Sequence, residues 1–315
     1  MLHKPVWTGI DIGRQSVKAV VLKQNKGRFT LSAYAEVALT PENEPGQLSG
    51  TGPLQDSVFP ADQLSALRQL RTLLPKRTGA CVLSLPDSEV VQRDIGLERR
   101  WGQDVASALA QQLAHLLAVD PQSLSLDFHR LQDAETPGHE TEMYRVFAAK
   151  SAAVEQKVRL AREAGFRPAV MELQARTLLW LLRYLEQNSG GASGAASAIV
   201  CQHDSGWDLA ASSRHPQPYH RTFPVAGSQA ELSRDVTRQL RLSGVFEDVE
   251  SLWLTGIALT EDERGCWQQL CGLPVQLLTP QQVFPYQSDT ALITASQSRG
   301  WVKPVALAIR GAMSC

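Results

Sequence analysis

The sequence predicts an α/β protein of two lobes, with a smaller α+β subdomain inserted into the first. Three observations lead there. Sets of strands open at Val6 and again at Ala198, each followed by helical patterns, which is the alternation of a layered α/β fold. A flexible tract, Asn188-Ser-Gly-Gly-Ala-Ser-Gly-Ala-Ala-Ser197, separates them. Between about 80 and 150 a strand–strand–helix–strand–strand pattern interrupts the first set. The expected divisions are a first lobe over residues 1–190 containing that insertion, a second lobe over 191–300, and a terminal helix over 301–315 returning to the first lobe.

The elements follow in order. Residues 6–35 alternate as three strands, with Asn25-Lys26-Gly27 as a hairpin turn before Arg28. Thr40 to Phe59 carries Pro41, Pro45, Gly46 and Gly50 and reads as a loop. Asp62 to Leu74 puts Leu64, Leu67 and Leu70 on one helical face, and Pro75 stops it. Ala80 to Leu85 and Glu89 to Ile95 are strands around Pro86. Gln103 to Val119 is an amphipathic helix with Val105, Leu109, Leu113 and Leu116 in register. Two strands follow, from the alternation of Leu124, Leu126 and Phe128 and of Tyr144, Val146 and Ala148. Ser151 to Ala164 is helical with Gly165 as C-cap, and Leu173 to Leu185 is a more apolar helix. Beyond the tract, Ser228-Gln-Ala-Glu231 is a capping box ahead of Leu232, Val236 and Leu240. Leu252-Trp-Leu-Thr-Gly256 is a strand and its turn, and Val302 to Ala312 closes the chain as a helix.

Bulk properties exclude several function classes. At 315 residues, 43% hydrophobic and 20% charged, the composition suits a protein with an ample core. A formal net charge of -1 gives no basic field for direct nucleic-acid binding. No run of about 18 apolar residues reads as a membrane span. Met1-Leu-His-Lys-Pro-Val has no signal-peptide core. Five scattered cysteines suit reduced thiols in a cytoplasm. A cytoplasmic location is therefore expected, with any membrane work done through another protein.

The stretch Gly9-Ile-Asp-Ile-Gly13-Arg-Gln-Ser-Val-Lys18-Ala-Val-Val-Leu22 carries the chemistry. It reads as a strand ending near Asp11, a turn through Gly13 and a second strand from Ser16. A carboxylate at a strand end can hold a hydrated divalent cation. The turn amides, the Ser16 hydroxyl and the Lys18 ammonium can donate to phosphate. It is neither a Walker loop nor a Rossmann loop, because no helix pattern follows the glycine. The string resembles the first phosphate motif of the actin-like ATPase superfamily, a duplicated ribonuclease H-like fold that includes actin, the Hsp70 ATPase domain, sugar kinases and FtsA. The resemblance implies a nucleotide site at Asp11, Gly13, Gln15, Ser16 and Lys18, with Asp11 holding magnesium through Mg-ATP.

The order of parts resembles one branch of that group, the PilM family of type IV pilus assembly proteins, with the enterobacterial HofM proteins inside it. Cys81 to Ile95 resembles the opening of PilM's inserted subdomain. Tyr144 to Lys150, Ala164-Gly-Phe-Arg-Pro168 and Met171-Glu172 resemble its strand and crossover. Arg221-Thr-Phe-Pro-Val-Ala-Gly227 resembles a turn before the lobe-two helix, Trp253-Leu-Thr-Gly256 the adenosine loop, and Ala306 to Arg310 the terminal helix. The resemblance implies a scaffold of a type IV pilus-like or DNA-uptake (competence) machine under the inner membrane. Its partner would be a PilN-like single-span protein, whose cytoplasmic tail lies in a groove between the first lobe and its insertion, near strands 80–95. Other inner-membrane components, an assembly ATPase and self-association are further partners it implies.

The departures are as informative. The second phosphate motif of PilM relatives is Asp-Ile-Gly-x-x-Thr-Thr. Counting back from Pro224 without gaps puts Cys201-Gln-His-Asp-Ser-Gly-Trp207 there. A shifted register offers Asp204-Ser-Gly206 instead, with Trp207 crowding the phosphate. The adenosine position offers Thr255 and Gly256, but Ile257 replaces a paired glycine. Hydrolysis needs a positioned base and donors from both lobes, so the reading is a pseudo-ATPase or a nucleotide binder with negligible turnover. The alternatives are an active actin-fold ATPase or small-molecule kinase, supported by Asp11 and Lys18, and an FtsA-like filament former. Cys201, His203, His215 and His220 match no familiar zinc spacing, and Cys266 with Cys271 is a poor redox motif. Arg93 with Glu98-Arg99-Arg100 reads as a solvated turn that could also meet a partner.

Overall fold

A computed structural model describes residues 5–13, 15–25, 28–39, 61–98, 102, 104–131, 141–188, 196–203, 206–212, 219–224, 228–244, 246–256, 261–287, 289–297 and 300–313. The loop read at 40–59, the middle of the Gly/Ser tract, the Lys26-Gly27 turn, Arg99-Arg100, His215 and Asp204 lie outside these residues. The chain runs through β1 (Val6–Ile12), β2 (Ser16–Asn25), β3 (Arg28–Ala38), α1 (Ala61–Leu73), β4 (Ala80–Leu85), β5 (Val91–Glu98), α2 (Val105–Leu117), β6 (Leu124–Arg130) and β7 (Thr141–Lys150). It continues with α3 (Ser151–Glu163), β8 (Pro168–Leu173), α4 (Gln174–Asn188), β9 (Ala196–His203), β10 (Gly206–Ala211), β11 (Tyr219–Phe223), α5 (Gln229–Leu242) and β12 (Val249–Thr255). The last elements are α6 (Glu261–Cys271), β13 (Val275–Leu277), α7 (Pro280–Val283), α8 (Thr290–Gln297) and α9 (Val302–Met313).

Two compact units result: Met1–Glu42, Pro60–Ser84 and Leu160–Cys315 form one, and Asn43–Phe59 with Leu85–Arg159 form the other. The larger unit repeats one plan. Its sheets have the orders β3-β2-β1-β4-β8 and β11-β10-β9-β12-β13. In each, an antiparallel hairpin (β1–β2, β9–β10) is joined on its other side by a parallel strand, β4 or β12. The smaller unit is an antiparallel sheet, β5-β7-β6, with Leu109 and Leu113 of α2 packed on Ile95, Tyr144 and Val146. Leu116, expected in that apolar register, is 63% exposed, and Leu117 takes the packed position instead.

Three apolar layers hold the larger unit together. α4 and α9 share a core with one face of each sheet, through Leu178, Leu181, Val305 and Ile309 against Val20, Leu22, Ile199 and Ala210. The far face of the first sheet, with Ile10, Val17 and Val21, packs on Leu67 and Leu70 of α1 and on Phe166. The far face of the second, with Val200 and Leu209, packs on Leu232, Val236 and Leu240 of α5 and on Trp267 of α6. Strands covered on both faces read as apolar runs, which is why Val17 and Ala19-Val-Val-Leu22 are all buried.

α9 is buried almost all round, from Val302 to Ile309 and again at Gly311 and Ala312. It lies so close to β1 that a β-carbon on Gly9 would strike the Pro304 carbonyl oxygen and the Ala308 nitrogen. Near its far end, Arg310 Nε donates to Glu172 Oε2 at 2.6 Å and its guanidinium covers the Trp180 ring. β8, β13 and α6 to α8 were not expected from the sequence. Of these, β8, β13 and α7 have six, three and four residues, which gives periodicity little to work on.

Candidate functional site

The first hairpin places its polar residues in one row across the sheet. Asp11 and Lys18 are direct cross-strand partners, and Glu36 lies opposite Lys18 on β3. Ser84 of β4 completes the row by donating to Asp11 Oδ1 at 3.4 Å. Lys18 Nζ donates to Ser16 Oγ at 2.6 Å and pairs with Glu36 at 3.5 Å, so its charge is engaged within its own sheet. Gly13 makes the turn, its N–H bonded to the Ser16 carbonyl at 3.0 Å, and Gln15 is exposed.

The second hairpin repeats this row with different chemistry. Cys201 of β9 is the direct partner of Asp208 on β10; Thr222 of β11 stands opposite Asp208, and Thr255 of β12 opposite Cys201. Asp11 and Lys18 are seven positions apart, as are Cys201 and Asp208. The pairing thus puts Cys201 where the first lobe has its acid and Asp208 where it has its lysine, which is the gap-free register. Trp207 points away from this row into the α5–α6 core, 6.4 Å from Trp267 between ring centroids, so it does not crowd the row as the shifted register supposed. Gly206 opens β10, and Gly256 ends β12 at φ +77, a left-handed turn pressed against the Gln202 carbonyl.

Asp208 is fully buried and is the electrostatic centre of this region. Thr222 Oγ1 donates to its Oδ1 at 2.8 Å, and His203 Nε2 lies 3.3 Å from the same oxygen. Lys303 Nζ of α9 lies 2.9 Å from Oδ2, an ion pair off the hydrogen-bond line. Burial alone would raise the Asp208 carboxyl; the Lys303 ammonium and His203 overcome it and hold the group well below the usual carboxylate range. Burial likewise opposes charge on Lys303, but Asp208 and then Asp11 raise its pKa above the ordinary value. Burial pushes the Cys201 thiol up to about 12, so it stays neutral.

Mg-ATP fits the first row better than the second. A neutral buried thiol at 201 neither orients a metal-bound water nor takes a proton from one, and at 208 an anion stands where the first row has a lysine that can donate to phosphate. The Thr255 hydroxyl records the exchange. It is 2% exposed and has no hydrogen-bond partner among the described residues, whereas Ser84, in the corresponding place, has Asp11. Thr255→Val should therefore leave stability unchanged or raise it by up to about 1 kcal/mol in urea unfolding, since no bond is lost. The described residues hold no cluster of three or more His, Cys, Asp or Glu able to bind a metal. In α6, Cys271 is buried and Cys266 exposed.

The two matching sheets and their facing hairpins define an actin-like fold. The family described as type IV pilus assembly protein PilM matches residues 9–230, and the chain belongs to it. No curated protein matches by sequence. Among solved structures the chain is similar to that titled PilM-PilN type IV pilus biogenesis complex, at 18% identity, 98% coverage of each chain and a TM-score of 0.68. It is also similar to the cytoplasmic domain of EpsL, an inner-membrane component of the Vibrio cholerae type II secretion system, at 12% identity, 98% and 95% coverage and a TM-score of 0.49.

Sequence reasoning missed Asp208, Lys303, Glu36 and Ser84. Of these only Lys303 left a signal, as a lone charge inside Val302-Lys-Pro-Val-Ala-Leu-Ala-Ile309. The others are united by strand register alone.

Proposed function

We propose that this chain is a cytoplasmic scaffold of a type IV pilus-like assembly, held at the inner membrane by the cytoplasmic tail of a PilN-like single-span protein. The observation that carries this reading is the family match over residues 9–230. Likeness over 98% of both chains to a protein solved as a PilM-PilN complex supports it. Among the described residues no helix is long and apolar enough to cross a membrane, which is consistent with attachment through a partner. β5 is one of the two edge strands of the smaller unit's sheet and offers a backbone ladder to an extended tail. A synthetic peptide of the cognate tail is expected to bind the purified chain saturably in calorimetry. No heat and no displacement of a labelled peptide at millimolar concentration would exclude the tail as its anchor.

The nucleotide site in this reading is degenerate, because the second hairpin carries Cys201 and Asp208 where the first carries an acid and a lysine. Mg-ATP at millimolar concentration is then expected to leave the melting temperature unchanged. Ligand at about 100 times its dissociation constant would add about 2.7 kcal/mol, a shift of a few degrees. Such a shift, abolished by Asp11→Ala and accompanied by phosphate release, would instead establish the active ATPase or kinase that the Asp11–Lys18 hairpin favours.

A further inference from the structure

We infer that Lys303 is a tethered counter-ion standing where a metal–nucleotide would otherwise join the two hairpins, so that α9 carries the chain's own permanent ligand. The inference rests on the degenerate-site reading above. Position is the first argument. Gly300, just before α9, lies under the Lys18 side chain, where a β-carbon would meet Lys18 Cε, and Pro304 is pressed on Gly9 of β1. The intervening turn of α9 therefore sits on the first hairpin, while its Lys303 ammonium reaches Asp208 of the second at 2.9 Å. Burial is the second. Lys303 is 4% exposed and Asp208 fully buried, and a lysine is left so deep only with a charged partner.

Charge is the third argument. Asp11 and Asp208 project from the two hairpins and both act on the Lys303 ammonium. Two buried acids beside one another need a cation with them. Here the cation is covalently part of a helix whose other residues are locked in the α4–α9 core, so it cannot leave without pulling α9 away. A cation that cannot dissociate cannot cycle with bound nucleotide. The lobes are thus held in one state whatever the nucleotide supply, which suits a static scaffold and not a switch.

Double-mutant cycles by thermal melting test this, pairing Lys303→Met with Asp208→Asn and separately with Asp11→Asn. Lys303→Met should lower the melting temperature by several degrees, and each added carboxylate-to-amide change should recover part of the loss. Simple additivity with Asp208→Asn overturns the ion pair as a tie, and additivity with Asp11→Asn overturns its reach to the first lobe. If Lys303→Met does not fold, recovery of soluble protein in Lys303→Met/Asp208→Asn supports the tie, and no recovery overturns it. Magnesium alone should raise the melting temperature of Lys303→Met and leave the unaltered chain where it was. A variant indifferent to magnesium overturns the substitution of ammonium for metal. A Mg-ATP shift in the unaltered chain would overturn the degenerate-site reading beneath it, whatever the cycles give.

Discussion

Gly9→Val is expected to unseat the terminal helix. The substitution places a β-carbon onto the Pro304 carbonyl oxygen and the Ala308 nitrogen, which are backbone atoms and cannot rotate aside. Overpacking against movable side chains costs about 1–3 kcal/mol, and against a fixed helix backbone the loss should be at least about 3 kcal/mol. For a chain of this size that lowers melting by about 5 °C or more. Hydrogen exchange should quicken in α9 before the α5–α6 core, because the collision lies on one side of the first sheet only. A Gly9→Val protein that melts with the parent would mean that α9 does not lie on β1. Gly9 opens the string from which a phosphate site was read, yet its own small size serves helix packing. Asp11, Gly13, Gln15, Ser16 and Lys18 remain in that string as the residues that phosphate chemistry would explain.

The same division separates what the residue order discloses from what it hides. The β1–β2–β3 meander, α1, the insertion and α9 were legible because each is long enough for its period to repeat. β2 and β3 have ten and eleven residues, and α9 has twelve. β13 has three and α7 four, too few for a pattern, and both are held in place by neighbours distant in sequence. Leu252 and Val275 pair only once β12 and β13 are brought side by side. At the site, a motif reads along the chain, so Asp11, Gly13 and Lys18 stood out. The rows read across it. Glu36–Lys18–Asp11–Ser84 spans four strands, as does Thr222–Asp208–Cys201–Thr255. Without the sheet, Asp208 is one more acid after a tryptophan, and the two registers of the second hairpin cannot be told apart. The seven-residue spacing common to both hairpins is visible in hindsight but has no meaning until one pair is known to face across strands.

Asp208→Ala should be among the most damaging single changes, and its cost should depend on pH in a defined direction. It strands the Lys303 ammonium, 4% exposed, with Asp11 as its remaining acid. Removing one partner of a buried pair costs about 3–5 kcal/mol, because the other charge stays desolvated. In the unaltered chain the folded-state pKa of Asp208 is depressed below 3.8, by Lys303 and His203 against the opposing effect of burial. A depressed carboxyl contributes stability that is fully present above its unfolded value and is lost as pH falls through the folded one. Lys303 has the opposite sense, since its pKa is raised above 10.5. Its contribution is full below that value and is lost only as pH rises through the folded one. Between about pH 5 and 9 the Asp208–Lys303 pair should hold both contributions in the unaltered chain. Below about pH 4 the unaltered chain loses the Asp208 contribution while the variant has none to lose, and the two urea midpoints should converge. Asp208→Asn keeps the size of the side chain and should show the same convergence with a smaller gap at neutral pH. A penalty that persists unchanged to pH 3 would mean that Asp208 supports the fold by shape alone, and that the charge at the centre of the second hairpin is not what secures α9.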